Sequence, residues 1–119
     1  MTAFYENVDH HRAEGRALAL GEQAQNTILE FRPRAVDDML VACLWSHWTG
    51  RGVADLLSFA AITDEPPVEV AAAGHDRCVI PIRRDNIDAW LTPDQRDLAA
   101  QYRILDDRER PYYEHRIAA

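Results

Sequence analysis

The stretch AAAGHDRCVIPI, residues 71–82, decides how this chain is read. A run of alanines gives way to three chargeable side chains, His75, Asp76 and Arg77, and these are followed at once by apolar residues. Burying such groups costs several kcal/mol unless they are paired or put to use. Upstream, residues 64–74 open with DEPP and turn alanine-rich, which predicts a turn and then a short helix leading into His75. Downstream, CVIPI predicts a short strand that Pro81 interrupts or confines to an edge.

Working outward, NTILEFRPR (26–34) alternates Thr27, Leu29 and Phe31 against polar partners and predicts a strand, with Pro33 at its end. Asp37-Asp38 predicts a turn. MLVACLW (39–45) is a continuous apolar run, the pattern of a strand covered on both faces, and LLSFAAIT (56–63) reads the same way. HWTGRG between them predicts a loop. DNIDAWL places Ile87, Trp90 and Leu91 on one helical face. A second helix is expected from Thr92 as N-cap, Pro93 at the first position and Gln95 three residues after the cap. Its apolar stripe is Leu98, Ala99, Tyr102 and Leu105, and Asp106-Asp107 and Pro111 end it. Residues 1–25 and the tail RPYYEHRIAA carry little periodicity. Strands and helices are segregated, which predicts an α+β fold: a partial, barrel-like mixed sheet of about four or five strands with two or three short helices near the C-terminus.

Length and composition fit one domain, residues 1–119, with 47% hydrophobic and 28% charged residues. No apolar run approaches the roughly 20 residues needed to span a bilayer, and MTAFYENVDHH is not a signal peptide, so a cytoplasmic protein is expected. The net charge of −7 argues against a general nucleic-acid coat but leaves room for a local basic patch. All 13 basic residues are arginine, which removes every lysine-based mechanism, including a Schiff base. Cys43 and Cys78 each lie in an apolar stretch outside any C-x-x-C and read as free thiols. Phosphate loops, G-x-S-x-G and H-E-x-x-H are absent. Asp9-His10-His11 reads as a solvated loop, because adjacent residues rarely converge on one ion, so neither a metal nor a cofactor is expected. Arg32 with Arg34, and Arg83 with Arg84, are candidate phosphate contacts.

The order CLWSHW, LLSFAAIT, GHDRCVIPI, NIDAWL resembles the SOS response-associated peptidase family, the abasic-site processing proteins. That family has an AGLWE-x-W strand, a TFTIIT strand, an HDRMPVIL segment and a DAWL helix at very similar spacing, with one extra residue here between Ile62 and His75. AFYEN (3–7) is similar to the family's GFYEW or AFFEP segment, and DDRERPYYEHR to endings of a bacterial and phage-like branch. The resemblance covers nearly all of this chain and about the second half of the usual family protein.

The resemblance implies recognition of an abasic site in single-stranded DNA. In the family an N-terminal cysteine attacks the ring-opened sugar aldehyde with its amine and closes a thiazolidine with its thiol, while a Glu and a His move protons. By matching motifs the Glu is Glu6 and the His is His75. Arg77 would lie along the phosphate path and Thr63 would line the same pocket, with Arg83 and Arg84 as further DNA contacts. The family's N-terminal CGR, its NARAE asparagine and the flanking tryptophans have no match; Thr2 is not equivalent to the cysteine, and Cys78 stands where the family has the Met of HDRMP. The expectation is therefore a single-stranded DNA binder impaired in crosslinking by itself. A second copy, or a separate chain, would complete the barrel. The alternatives are a non-enzymatic protein-interaction module and a lyase using Glu6 and His75 without covalent attack.

Overall fold

The computed structural model describes residues 1–35 and 38–118. Of the expected Asp37-Asp38 turn, Asp37 lies outside the described residues. Among them are seven strands and four helices, in an α+β arrangement: β1 Phe4–Asp9, α1 His10–Ala13, β2 Asn26–Pro33, β3 Cys43–Trp48, β4 Leu56–Ala61, β5 Thr63–Asp64, α2 Val68–Ala72, β6 Cys78–Val79, α3 Ile87–Leu91 after a 3-10 turn at Arg84–Asn86, α4 Leu98–Asp106 and β7 Tyr113–Ile117. The chain divides into two compact units. The first comprises Met1–Met39, Asp64–Cys78 and Arg110–Ala119; the second comprises Leu40–Thr63 and Val79–Glu109. No helix among the described residues is long and apolar enough to cross a membrane.

The first unit is built on an antiparallel sheet in the order β1-β2-β7. The predicted strand at 26–34 is β2, with Pro33 as its last residue, where a missing N–H costs least. Leu29 and Phe31 are buried as the alternation requires. Phe31 is fully buried; it pairs with Phe4 across the strands, their rings stacked at 5.1 Å, and Tyr113 meets Phe4 edge-on at 5.2 Å. β1 was not legible from periodicity: its core-facing set is Phe4, Glu6 and Val8, so a carboxylate interrupts the apolar face. Glu30 breaks the alternation in β2. It is buried on the opposite side of the sheet, where Arg116 Nε at 2.7 Å, and then Arg32 Nε at 2.5 Å, hold its carboxylate and keep it below its ordinary range.

The loop after α1 is tied by Arg16, whose guanidinium meets both Glu22 carboxylate oxygens at 2.7 and 2.8 Å and Glu14 at 2.6 Å. The Ala19 N–H adds a bond to Glu22 at 2.9 Å. The Arg16 contact, then the Ala19 bond, lower the Glu22 carboxyl from 4.5 to about 2. A depressed carboxylate binds fewer protons folded than unfolded, so its contribution is present above the unfolded value and is lost as pH falls through the folded one. The loop should therefore keep this contribution in full above about pH 4.5 and lose it as pH falls from there to about 2. Carboxyl carbon NMR of Glu22 reads this directly, and a midpoint near 4.5 would show that the Arg16 clamp is not formed.

The second unit has its core at Ala42, Ile80, Ile82 and Ile104, with Ile62, Trp90 and Leu105 against it. Two expectations are corrected here. The apolar runs 39–45 and 56–63 do not form strands covered on both faces. Ala42 is buried, but β3 begins only at Cys43 and runs through His47 and Trp48, residues expected in a loop; it pairs with β4 as an antiparallel hairpin. Trp45 is 74% exposed and Phe59, its partner across the pair, 80%; Leu44, Trp48, Leu56 and Leu57 are exposed as well. A continuous apolar run records only that both faces are apolar. Whether they are covered depends on what packs there.

The second correction concerns α4. It starts at Leu98 with Asp97 as N-cap, whose carboxylate accepts from the Ala100 N–H at 3.0 Å, rather than at Thr92. Thr92 instead closes α3, donating its hydroxyl to the Asp88 carbonyl at 2.5 Å. The competing turn at 93–97 is fastened by Asp94, which accepts from the Arg96 N–H at 2.9 Å. The end of α4 at Asp106-Asp107 is as expected.

Candidate acid-base site

His75 owes its position to the end of α2. The helix stops at Ala73, and Gly74 follows with φ +99°, a conformation that an L side chain strains. The Gly74 N–H donates to the Ala71 carbonyl at 2.9 Å and the His75 N–H to the Val70 carbonyl at 3.3 Å. This crossed pair of bonds is the Schellman helix terminator. Val70 is fully buried, and Glu69 accepts from the Tyr113 N–H at 2.9 Å, which ties α2 to β7. An atom at the Cβ position of Gly74 would lie 3.0 Å from the Ala13 nitrogen and from the Asp9 carbonyl oxygen, so α1 packs directly on this turn.

Glu6 reaches the same place from β1. It shares the core-facing side of the strand with Phe4 and Val8 and pairs across to Leu29. Its Oε2 lies 3.2 Å from His75 Nε2; the His75 side chain is 17% exposed and that of Glu6 27%. The pair is thus half-enclosed and open to solvent on one side. On the other side of the ring, Nδ1 is 2.7 Å from the Arg77 carbonyl oxygen. A carbonyl only accepts, so Nδ1 donates and carries a proton. The Arg77 N–H lies 3.3 Å from the same nitrogen, a contact that needs the opposite tautomer. The shorter bond decides the assignment. With Nδ1 held by that carbonyl, Nε2 is the nitrogen that faces the Glu6 carboxylate, at 3.2 Å. This geometry lets the pair take up or release a proton toward a group placed at its open side.

The other residues of the opening stretch are also engaged. Asp76 Oδ2 accepts from Arg12 Nη1 at 2.7 Å, which raises the Arg12 guanidinium and lowers the Asp76 carboxyl. Arg77 is exposed and bonds to the His75 ring through its backbone carbonyl. Thr63, Arg83 and Arg84 belong to the second unit, Glu6, His75 and Arg77 to the first. Arg83 is held at the C-terminal end of α4, its Nε donating to the Asp107 carbonyl at 3.0 Å and lying 3.1 Å from the Asp107 carboxylate. Arg84 opens the 3-10 turn and is exposed. Arg32 sits with Glu30 on the face of the sheet opposite Glu6, and Arg34 pairs with Glu114 at 3.0 Å.

Asp9, His10 and His11 do not converge: Asp9 lies near Arg12, and His10 meets the Thr27 hydroxyl at 2.6 Å. Among the described residues no group of three or more His, Cys, Asp or Glu is placed to hold a metal ion. Neither Cys43 nor Cys78 forms a disulfide, and Cys78 is buried. The contributions of Arg12, Asp9 and Gly74 to this region were missed by sequence reasoning. A glycine directly after an alanine-rich helix was the one available signal.

The fold and site define, as a class, an α+β protein that brings a carboxylate from the middle of β1 against an imidazole just after α2. The chain belongs to the family described as SOS response associated peptidase (SRAP), whose model matches residues 1–117. No curated protein and no solved structure matches it. Membership supports an SOS-associated, abasic-site-related role in general terms.

Proposed function

We propose that this chain is an abasic-site processing protein that binds single-stranded DNA and, by itself, is impaired in forming the covalent thiazolidine crosslink. The contact between Glu6 and His75, at 3.2 Å, is the observation that carries this reading. A cyclic hemiacetal opens when an acid protonates the ring oxygen while a base takes the proton of the C1 hydroxyl, leaving the aldehyde. A carboxylate and an imidazole side by side can supply the two roles, one as base and one as acid. The thiols are Cys43 and Cys78 alone, and Cys78 is buried, which supports impaired crosslinking. Arg77 in the first unit, and Arg83 and Arg84 in the second, are the exposed candidates for phosphate contact, and Thr63, half-buried, is a further candidate in the second. A cytoplasmic setting and action without cofactor belong to the same reading.

The test uses single-stranded DNA holding one abasic site, with binding followed across salt and the products resolved by denaturing electrophoresis. Binding that weakens with salt, and no covalent band, is the expected result. Absence of binding at low salt removes the DNA role, and a covalent band from this chain alone removes the impairment. Strand cleavage abolished by Glu6→Gln would assign the non-covalent lyase reading instead.

The uncovered β3–β4 hairpin favours a second reading, a protein-interaction module. It also supports a polypeptide partner, whether a second copy or a separate chain that completes the sheet. Light scattering of the isolated chain, and of the variant Phe59→Glu, separates self-association from a monomer that needs another chain.

A further inference from the structure

We propose that Arg12 is a positioning residue that sets the contact between Glu6 and His75; this rests on the acid-base reading of that pair. Glu6 and His75 are far apart in the chain and come from different elements, so something has to hold β1 and the turn after α2 in register. The guanidinium of Arg12 spans the two. Its Nη1 donates to Asp76 Oδ2 at 2.7 Å, one residue from His75, and its Nε lies 3.4 Å from Asp9 Oδ2, at the end of the strand that carries Glu6. Gly74 completes the junction from the other side, its backbone seated against the Asp9 carbonyl and the Ala13 nitrogen. The result is a closed ring of contacts: Glu6 along β1 to Asp9, across Arg12 to Asp76, and back through His75 to Glu6.

The planar guanidinium fixes two carboxylates at once, a geometry that the point charge of lysine does not reproduce. The side chains are exposed, Arg12 at 50% and Asp76 at 66%, so the bridge adds little to global stability. Its effect is on where His75 sits. A small misplacement of reacting groups is costly in rate even when the fold is intact.

The test compares Arg12→Ala, Arg12→Lys and Asp76→Asn with the parent chain. Long-range proton-nitrogen NMR of the imidazoles is expected to show His75 protonated at Nδ1 in the parent. In Arg12→Ala and Asp76→Asn the signals should shift toward tautomer averaging, with the melting temperature nearly unchanged. On abasic-site DNA the exposed sugar aldehyde is trapped with an alkoxyamine; Arg12→Lys keeps the charge and should leave DNA binding in place while lowering the trapping rate that the chain promotes about tenfold. The double variant Arg12→Lys/Asp76→Asn should be no worse than the more severe single one. A His75 spectrum identical to the parent's in Arg12→Ala overturns the proposal. If the parent chain does not raise that trapping rate, the acid-base reading falls, while the His75 spectrum still decides whether Arg12 positions the ring.

Discussion

The substitution Gly74→Ala is expected to destabilise the first unit and to separate His75 from Glu6. Two independent effects add at this position. The residue has φ +99°, and forcing a side chain into such a conformation costs about 1–3 kcal/mol. The new methyl group would also sit 3.0 Å from the Ala13 nitrogen and the Asp9 carbonyl oxygen, both backbone atoms that cannot swing away. Either α1 moves or the turn after α2 opens. Both displace the segment carrying His75, and the 3.2 Å contact with Glu6 is lost. Gly15 is the control: its φ is +67°, but nothing lies within 4 Å of its Cβ position, so Gly15→Ala pays the strain alone. Urea unfolding and the His75 imidazole spectrum should both change far more in Gly74→Ala than in Gly15→Ala. Equal effects would mean that the packing of α1 on this turn does not exist in solution.

Phe31→Ala is expected to be the most damaging of the core substitutions, at about 3–5 kcal/mol. Phe31 is fully buried, stacked on Phe4 and in contact with the His115 ring at 5.6 Å. Its removal leaves a cavity in the middle strand of a three-stranded sheet, where both neighbours are fixed by backbone pairing and cannot collapse inward. Against a total stability of the usual 5–15 kcal/mol, that loss brings the unit close to unfolding. Phe4 stands two residues before Glu6 on the same face of β1, so the damage should reach the acid-base pair before the fold is lost. Thermal unfolding measures the first effect and the Glu6-dependent chemistry the second. Phe31→Leu, which keeps most of the volume, should lose much less; a loss as large as that of Phe31→Ala would place the stability elsewhere.

How much of this was legible depended on the kind of signal. β2 was readable because its apolar residues alternate and a proline ends it. The end of α4 was readable from its acidic pair. β1 and β7 were not. In β1 the core-facing series includes Glu6, and in β7 only Tyr113 is buried, so neither has a period to detect. They are strands because β2 lies between them and pairs with both. The motif resemblance picked out Glu6 and His75 where periodicity had no purchase, but it said nothing of what holds them. Arg12 was overlooked because its two carboxylate partners, Asp9 and Asp76, are separated by most of the first unit's chain.

By itself the amino-acid sequence determined the α+β class, the family, the lysine-free chemistry and the two residues on which a proton-moving site would rest, because local patterns and ordered motifs survive in one dimension. The tertiary structure decided the rest: that a carboxylate on β1 meets an imidazole after α2, that Asp76 turns to Arg12, and that the apolar hairpin stands uncovered. Each of these depends on which distant segments meet, and burial and pairing are properties of that meeting rather than of any one stretch of chain.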